Sequence, residues 1–290
     1  MERHTETRRL QWALAISSVY FFAELIAGFL TNSLALLSDA GHMLSDMGAL
    51  GLSLFAFRMA RRPATIHRTY GYHRIEILAA LFNGLTLWLI VGVIFAAAYG
   101  RLSHPPEIEG YGMMIVAILG LAVNLAAAAI LHGGHRHNLN LRGAFLHVMS
   151  DALGSVGAIF AGIVMLTTGW YLADPLISIL IGVLILFSSW SLVKDSLSVL
   201  MQTVPKGIQL EEVRRTIEAV DGVSAVHDLH VWAVTSDIFT LSAHAVVANG
   251  GDFHLVLNGI EDTLREQFNI EHTTIQLETE SREDKEFKAF

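Results

Sequence analysis

Residues 77–99 read ILAALFNGLTLWLIVGVIFAAAY, 23 positions without a charged side chain. About 20 apolar residues in a helix cover the hydrocarbon core of a bilayer. This stretch therefore decides the class, and five others resemble it. Residues 12–30 are interrupted only by Glu24, and residues 34–57 hold Asp39 and Asp46. Residues 113–131 and 176–193 carry no charge, and residues 144–168 contain His147 and Asp151. Six transmembrane helices are expected. The first ten residues lack the apolar run of a cleavable signal, so the first helix is expected to be retained.

Composition agrees. Of the 290 residues, 53% are hydrophobic and only 16% charged, against about 25% charged in a soluble domain. From Val204 onward the chain holds 16 of the 27 acidic residues and 7 of the 19 basic ones. An acidic, charge-rich tail thus follows a nearly neutral membrane part, giving domains at 1–203 and 204–280. Residues 281–290, short of apolar side chains, are expected to be disordered. The acidic tail has no basic stripe, which excludes a nucleic-acid binder. With no cysteine, thiolate metal sites, disulfides and cysteine nucleophiles are excluded as well.

Loop arginines set the orientation. Arg3, Arg8 and Arg9 precede the first span. Arg58, Arg61, Arg62, Arg68 and Arg74 surround the loop after the second, and Arg136 and Arg142 the loop after the fourth. The opposite loops hold only Arg101. Both termini are expected in the cytoplasm.

The tail alternates between two periods. Leu210, Val213, Ile217 and Val220 share a helical face, as do Phe253, Val256, Ile260, Leu264 and Phe268. Residues 226–234, 239–247 and 273–277 read as strands. The order αββαβ suits a two-layer α+β domain.

Polar groups inside the spans carry the chemistry, because a carboxylate at a helix centre costs roughly 2.5–3.5 kcal/mol on insertion scales. The second span reads His42-Met43-Leu44-Ser45-Asp46 and the fifth His147-Val148-Met149-Ser150-Asp151. Residues i and i+4 share a helix face, so each helix offers one imidazole and one carboxylate in one direction. Two such faces supply the four ligands of tetrahedral zinc. Helix rise puts Asp46 about 18 Å from Arg58 and Asp151 about 14 Å from Arg142, similar depths on antiparallel helices. The two histidines agree less well and require tilt. The bland alternative is a pair of His–Asp contacts gluing helices together; its repetition in two spans argues against it. No H-E-x-x-H motif supports a metalloprotease, and no enzyme is expected.

Asp39, seven residues before Asp46, shares its face and either lines an approach path or makes an outer polar contact. Glu24 lines the same cavity or pairs with a neighbouring helix. Asp174-Pro175 reads as the cap and first-turn proline of the sixth helix. Asn83 and Asn124 read as interhelical hydrogen-bonders.

Together with SLALLSDAGH at 33–42, DPLIS at 174–178 and VHDLHVW at 226–232, these features resemble the cation diffusion facilitator transporters. The likeness is to the zinc-transporting branch, of the bacterial CzcD and ZitB type. It implies a homodimeric antiporter exporting zinc, and cadmium, from the cytoplasm by alternating access against protons, with His42, Asp46, His147 and Asp151 as the transport site. It also implies a metallochaperone-like tail that binds regulatory zinc through His227, His244 and Glu278. Gln276 stands where some members have a further histidine. Strand alternation predicts that His227 and His230 face opposite ways. His254, beside the apolar stripe of its helix, could complete the tail site. His132, His135 and His137 form an H-x-x-H-x-H loop that could gather zinc weakly. His67 and His73 lie among arginines without a carboxylate, a poor place for a dication. The rival reading is a membrane metal sensor that binds without transporting; a channel would need several weak sites in line.

Overall fold

The computed structural model describes residues 2–132, 139–235, 238–248 and 251–280, with backbone alone for 2–11, 14 and 139–144. The chain forms α1 (Glu2–Thr31), α2 (Leu34–Ala60), α3 (Arg74–Ser103), α4 (Gly110–His132), α5 (Leu139–Thr168) and α6 (Ala173–Leu200). Then come α7 (Leu210–Glu218), β1 (Val223–Thr235), β2 (Ile238–Val247), α8 (Phe253–Phe268) and β3 (His272–Glu278).

These first six helices make a helical transmembrane domain. Among the described residues, α3, α4, α6 and the Phe145–Thr168 part of α5 are each long and apolar enough to cross a membrane. In α1 the described apolar stretch, Ala15–Thr31, is shorter. In α2 the middle is interrupted by Ser38, Asp39, His42, Ser45 and Asp46. Each helix outruns its apolar segment, because backbone hydrogen bonding continues where hydrophobicity stops. The apolar run marks the bilayer, not the helix ends.

Packing divides the chain into two units: Met1–Leu52 with Phe82–Leu192, and Ser53–Leu81 with Val193–Phe290. This cut differs from the 203/204 boundary that composition suggests. The second unit takes in residues 53–60 of α2, 74–81 of α3 and 193–200 of α6 along with the tail.

In the first unit small residues bring helices together. Ala35, Ala117, Ala158 and Ala161 pack with Leu36, Met113 and Met165 in one buried cluster. Close approach through small side chains is how membrane helices associate without a hydrophobic drive. Large apolar side chains such as Phe187 and Phe29 point outward, as lipid-facing positions do. Ser45 donates to Asn83 at 3.2 Å, tying α2 to α3.

The turn between α1 and α2 corrects one reading. Asp174 does not act as the cap of its own helix. Its carboxylate accepts from Ser33 Oγ at 2.6 Å, Leu34 N at 2.9 Å and Ala35 N at 3.1 Å, so it caps α2. The first N–H groups of α2 have no intrahelical acceptor and carry the positive end of its dipole. A fully buried carboxylate on α6 is the anion that meets them. Arg101 lies 3.6 Å from Asp174 and grips Asn32 through its carbonyl (2.6 Å) and Oδ1 (2.9 Å). Asn32 itself takes a left-handed φ of 57°.

In the tail, β1 and β2 pair antiparallel and β2 and β3 parallel, in the order β1-β2-β3. Val213 and Ile217 of α7, and Val256, Ile260 and Leu264 of α8, form one core with Val226, Leu229, Val231, Leu241, Ala243 and Ala245. The αββαβ order expected from periodicity is the order found. Residues 281–290 lie outside the described residues.

Candidate metal centres

Two groups of metal-ligating side chains converge among the described residues: His42, Asp46 and His147, and His227, His244 and Glu278.

The first is built by the paired motifs. Within α2, His42 Nδ1 lies 3.6 Å from Asp46 Oδ2, and within α5, His147 Nε2 lies 3.6 Å from Asp151 Oδ2. Between the helices, His147 Nε2 is 3.3 Å from Asp46 Oδ2 and His42 Nε2 is 3.9 Å from Asp151 Oδ1. Each imidazole thus meets both carboxylates. Zinc bonds to nitrogen and oxygen of about 2.0–2.1 Å place tetrahedral ligands about 3.3–3.4 Å apart, close to the shortest of these separations. Asp151 is the outlying member. His42 addresses Asp46 with one nitrogen and Asp151 with the other, so closing a four-ligand shell requires a turn of that ring. The imidazole centroids are 5.7 Å apart; the mismatch in depth estimated from helix rise does not keep the rings from meeting.

Burial gives this site a floor and a mouth. Asp151 and His42 side chains are 10% and 18% exposed, whereas His147 is 44% exposed. His42 Nδ1, Asp46 Oδ2 and Asp151 Oδ1 are sheltered from solvent without a hydrogen-bond partner. Buried polar atoms normally have one. Lone pairs facing each other across 3–4 Å are what a dication satisfies.

The second group lies on the sheet face away from α7 and α8. His227 and His244 are register partners across β1 and β2, and His244 pairs with Gln276 on β3. His227 Nε2 is 3.2 Å from Glu278 Oε2, and His244 Nδ1 is 3.4 Å from Glu278 Oε1. Gln276 Nε2 donates to Glu278 Oε1 at 2.6 Å, so the residue in the place of a further histidine positions the carboxylate.

Strand alternation fails at one place. His227 opposes His244 and His230 opposes Ser242, so both histidines of β1 face the same way. A bulge absorbs the extra residue, with Asp228 at a left-handed φ of 47°, a conformation that Asp tolerates better than most residues. His230 nevertheless stays out of the cluster: Asp228 Oδ1 holds its Nε2 at 2.8 Å, and its side chain is 63% exposed. Asp228 Oδ2 also lies 3.9 Å from His244 Nε2, a contact that alternation hides.

Other histidines are not brought in. His254 is exposed in the first turn of α8, where its backbone N–H bonds to the Asp252 cap. His132 is exposed at the end of α4, its ring 5.9 Å from that of Phe145. His135 and His137 lie outside the described residues. His67 is exposed, and neither it nor His73 joins a convergent group among the described residues.

Comparison with known proteins agrees with both halves of the chain. Residues 10–201 match the cation efflux transmembrane domain, and residues 205–280 the cytoplasmic domain of cation efflux proteins. The cadmium, cobalt and zinc/H(+)-K(+) antiporter of Bacillus subtilis is 48% identical over 270 residues, spanning 90% of this chain and 86% of that protein. The metal cation efflux system protein CzcD of Cupriavidus metallidurans is 45% identical over 272 residues, spanning 93% and 86%. The zinc transporter ZitB of Escherichia coli is 42% identical over 274 residues, spanning 93% and 87%. The chain belongs to the cation efflux family, whose members are the cation diffusion facilitator transporters.

Proposed function

We propose that the protein is a proton-coupled antiporter that exports zinc, and cadmium, by alternating access. The observation that carries this reading is the geometry of His42, Asp46, His147 and Asp151: two imidazoles and two carboxylates from antiparallel helices, each imidazole within 3.3–3.9 Å of both carboxylates. The antiporter and zinc-transporter names of its relatives support the same direction.

The chemistry follows from the donor set. Neutral imidazole and carboxylate suit zinc, and the absence of cysteine disfavours copper(I). Two carboxylates offset the charge of a dication inside a low-dielectric span. All four ligands bind metal only when deprotonated, so protons arriving from one side displace the ion. The partly exposed His147 is the edge by which the ion enters. His227, His244 and Glu278 hold a second, regulatory zinc in the tail, and the chain works as a homodimer in the bacterial inner membrane with both termini cytoplasmic.

The deciding experiment is zinc flux into proteoliposomes with and without an imposed pH gradient. Flux that the gradient accelerates supports the antiporter. Zinc binding without flux would instead identify a sensor.

A further inference from the structure

Glu24 and Asp39 are buried acids that give no atom to the quartet. Glu24 is 1% exposed and Asp39 6%. Glu24 lies seven residues before the end of α1, and Asp39 five after the start of α2. At 1.5 Å per residue, both sit about 8–10 Å from the turn joining these antiparallel helices. Their carboxyls are in hydrogen-bonding contact. Tyr20 Oη holds the far side, 3.0 Å from Glu24 Oε1 and 3.3 Å from the Val116 carbonyl of α4. Glu24 Oε2 is sealed from solvent with no donor directed at it. On α5, Gly154 lies against the pair: a Cβ there would stand 3.4 Å from Asp39 Oδ1, an ordinary contact distance.

An ionised carboxylate only accepts hydrogen bonds. Two of them in contact, in a dry site, form a hydrogen bond only if one carries a proton. The charged and titratable groups acting on the pair are Tyr20 on α1, Asp46 on α2, and His147 and Asp151 on α5. Among the described residues neither Lys nor Arg is one of them, so no fixed cation there does the proton's work.

We propose that Glu24 and Asp39 form a proton-binding site separate from the metal quartet, one proton shared between the two carboxyls and released when the metal binds. The proton leaves a carboxyl oxygen for water on the side from which the metal enters, and the pair goes from one negative charge to two. The link to the quartet is short: Asp39 precedes His42 by one turn of α2, and Gly154, against Asp39, follows Asp151 by one turn of α5. A dication at the quartet stabilises the doubly ionised pair, and its departure restores the proton. The proposal rests on the reading of the quartet as the metal site.

Infrared difference spectra of the purified full-length protein, taken on adding zinc in H2O and in D2O, test it. The carbonyl stretch of a protonated carboxylic acid should be lost on zinc binding and should shift in D2O. Glu24→Gln and Asp39→Asn should each abolish that signal and still bind zinc, and their flux should lose its dependence on the pH gradient. Tyr20→Phe, which keeps both carboxyls, should move the band without removing it. A wild-type protein without the band, or a band that persists through zinc binding or in both acid variants, overturns the proposal, as does wild-type coupling in both. Asp46→Ala separates the two ideas. If that variant binds zinc with unchanged affinity and still loses the band, the quartet reading falls and the proton pair stands.

Discussion

Removing the Asp174 carboxylate should loosen the structure around the first turn of α2. The side chain is fully buried and accepts from Ser33 Oγ, Leu34 N and Ala35 N, with Arg101 beside it. In Asp174→Ala three donors lose their acceptor. Each buried, unsatisfied group costs about 1–3 kcal/mol, and breaking a buried charged arrangement typically costs 3–5 kcal/mol in all. Arg101 softens the loss, because its bonds to Asn32 survive. About 4 kcal/mol is therefore expected for Ala. Asp174→Asn keeps the shape and one acceptor but loses the charge facing the helix dipole, an effect of up to about 2 kcal/mol in partly buried sites. Against a total stability of roughly 5–15 kcal/mol, the alanine variant should melt on the order of 10 °C below wild type, with the asparagine variant between. The assay is thermal unfolding of the detergent-solubilised protein, read by tryptophan fluorescence. Since His42 lies two turns along the same helix, zinc affinity should fall in the same order. If both variants melt with the wild type, Asp174 does not cap α2 in the folded protein.

Asp46→Ala and Asp151→Ala should each nearly abolish zinc flux in vesicles while the protein still inserts, because three ligands and one carboxylate neither complete the shell nor offset the charge; wild-type flux in either refutes the quartet. His42→Asp should still carry zinc but admit cadmium and manganese relatively better, since carboxylates suit harder ions and the added charge attracts any dication; competitive flux reads this, and an unchanged ratio removes His42 from the ligands. Saturating zinc, at about 100 times its dissociation constant from the tail site, should stabilise the tail by about 2.7 kcal/mol. Glu278→Ala should remove that stabilisation, as read by zinc-dependent melting of a quartet-null Asp46→Ala background. Acidification should weaken tail binding, because protons compete for both imidazoles; binding that is indifferent to falling pH would exclude His227 and His244 as ligands.

Most of the quartet was legible because helical geometry is regular. A spacing of four residues in two spans suffices to put four metal-ligating side chains on two faces, and the antiparallel run of α2 and α5 follows from counting spans. The roles that stayed hidden depend on contacts between distant parts of the chain. Asp174 looks like a cap for the helix it begins, and only the packed structure shows that the orphan N–H groups it meets lie 140 and 139 positions earlier in the chain, at Leu34 and Ala35. Glu24 reads as lining a cavity or pairing with a neighbouring helix, and Asp39 as lining an approach path or making an outer polar contact, with neither named as the other's partner. Their similar distance from the α1–α2 turn was countable from the sequence, but whether their carboxyls turn toward each other depends on packing around Tyr20 and Gly154.

The strand histidines show the opposite case, in which a regular rule gives the wrong facing of two rings. Period-two alternation separates His227 from His230 only if every residue between them keeps extended backbone angles. Asp228 leaves that region, and the bulge turns both rings to one face of the sheet. A bulge is invisible to hydrophobic patterning when its extra residue is polar, because the apolar sequence Val226, Leu229, Val231 still faces the core. What separates the two histidines is competition for a partner. His230 is engaged by Asp228 at 2.8 Å, while His227 is left to Glu278 at 3.2 Å. Replacing Asp228 with Asn would keep the backbone preference and weaken that hold on His230, leaving the His227–His244–Glu278 group in place. The division of the two rings is thus set by where the carboxylates sit, a quantity that strand periodicity does not encode.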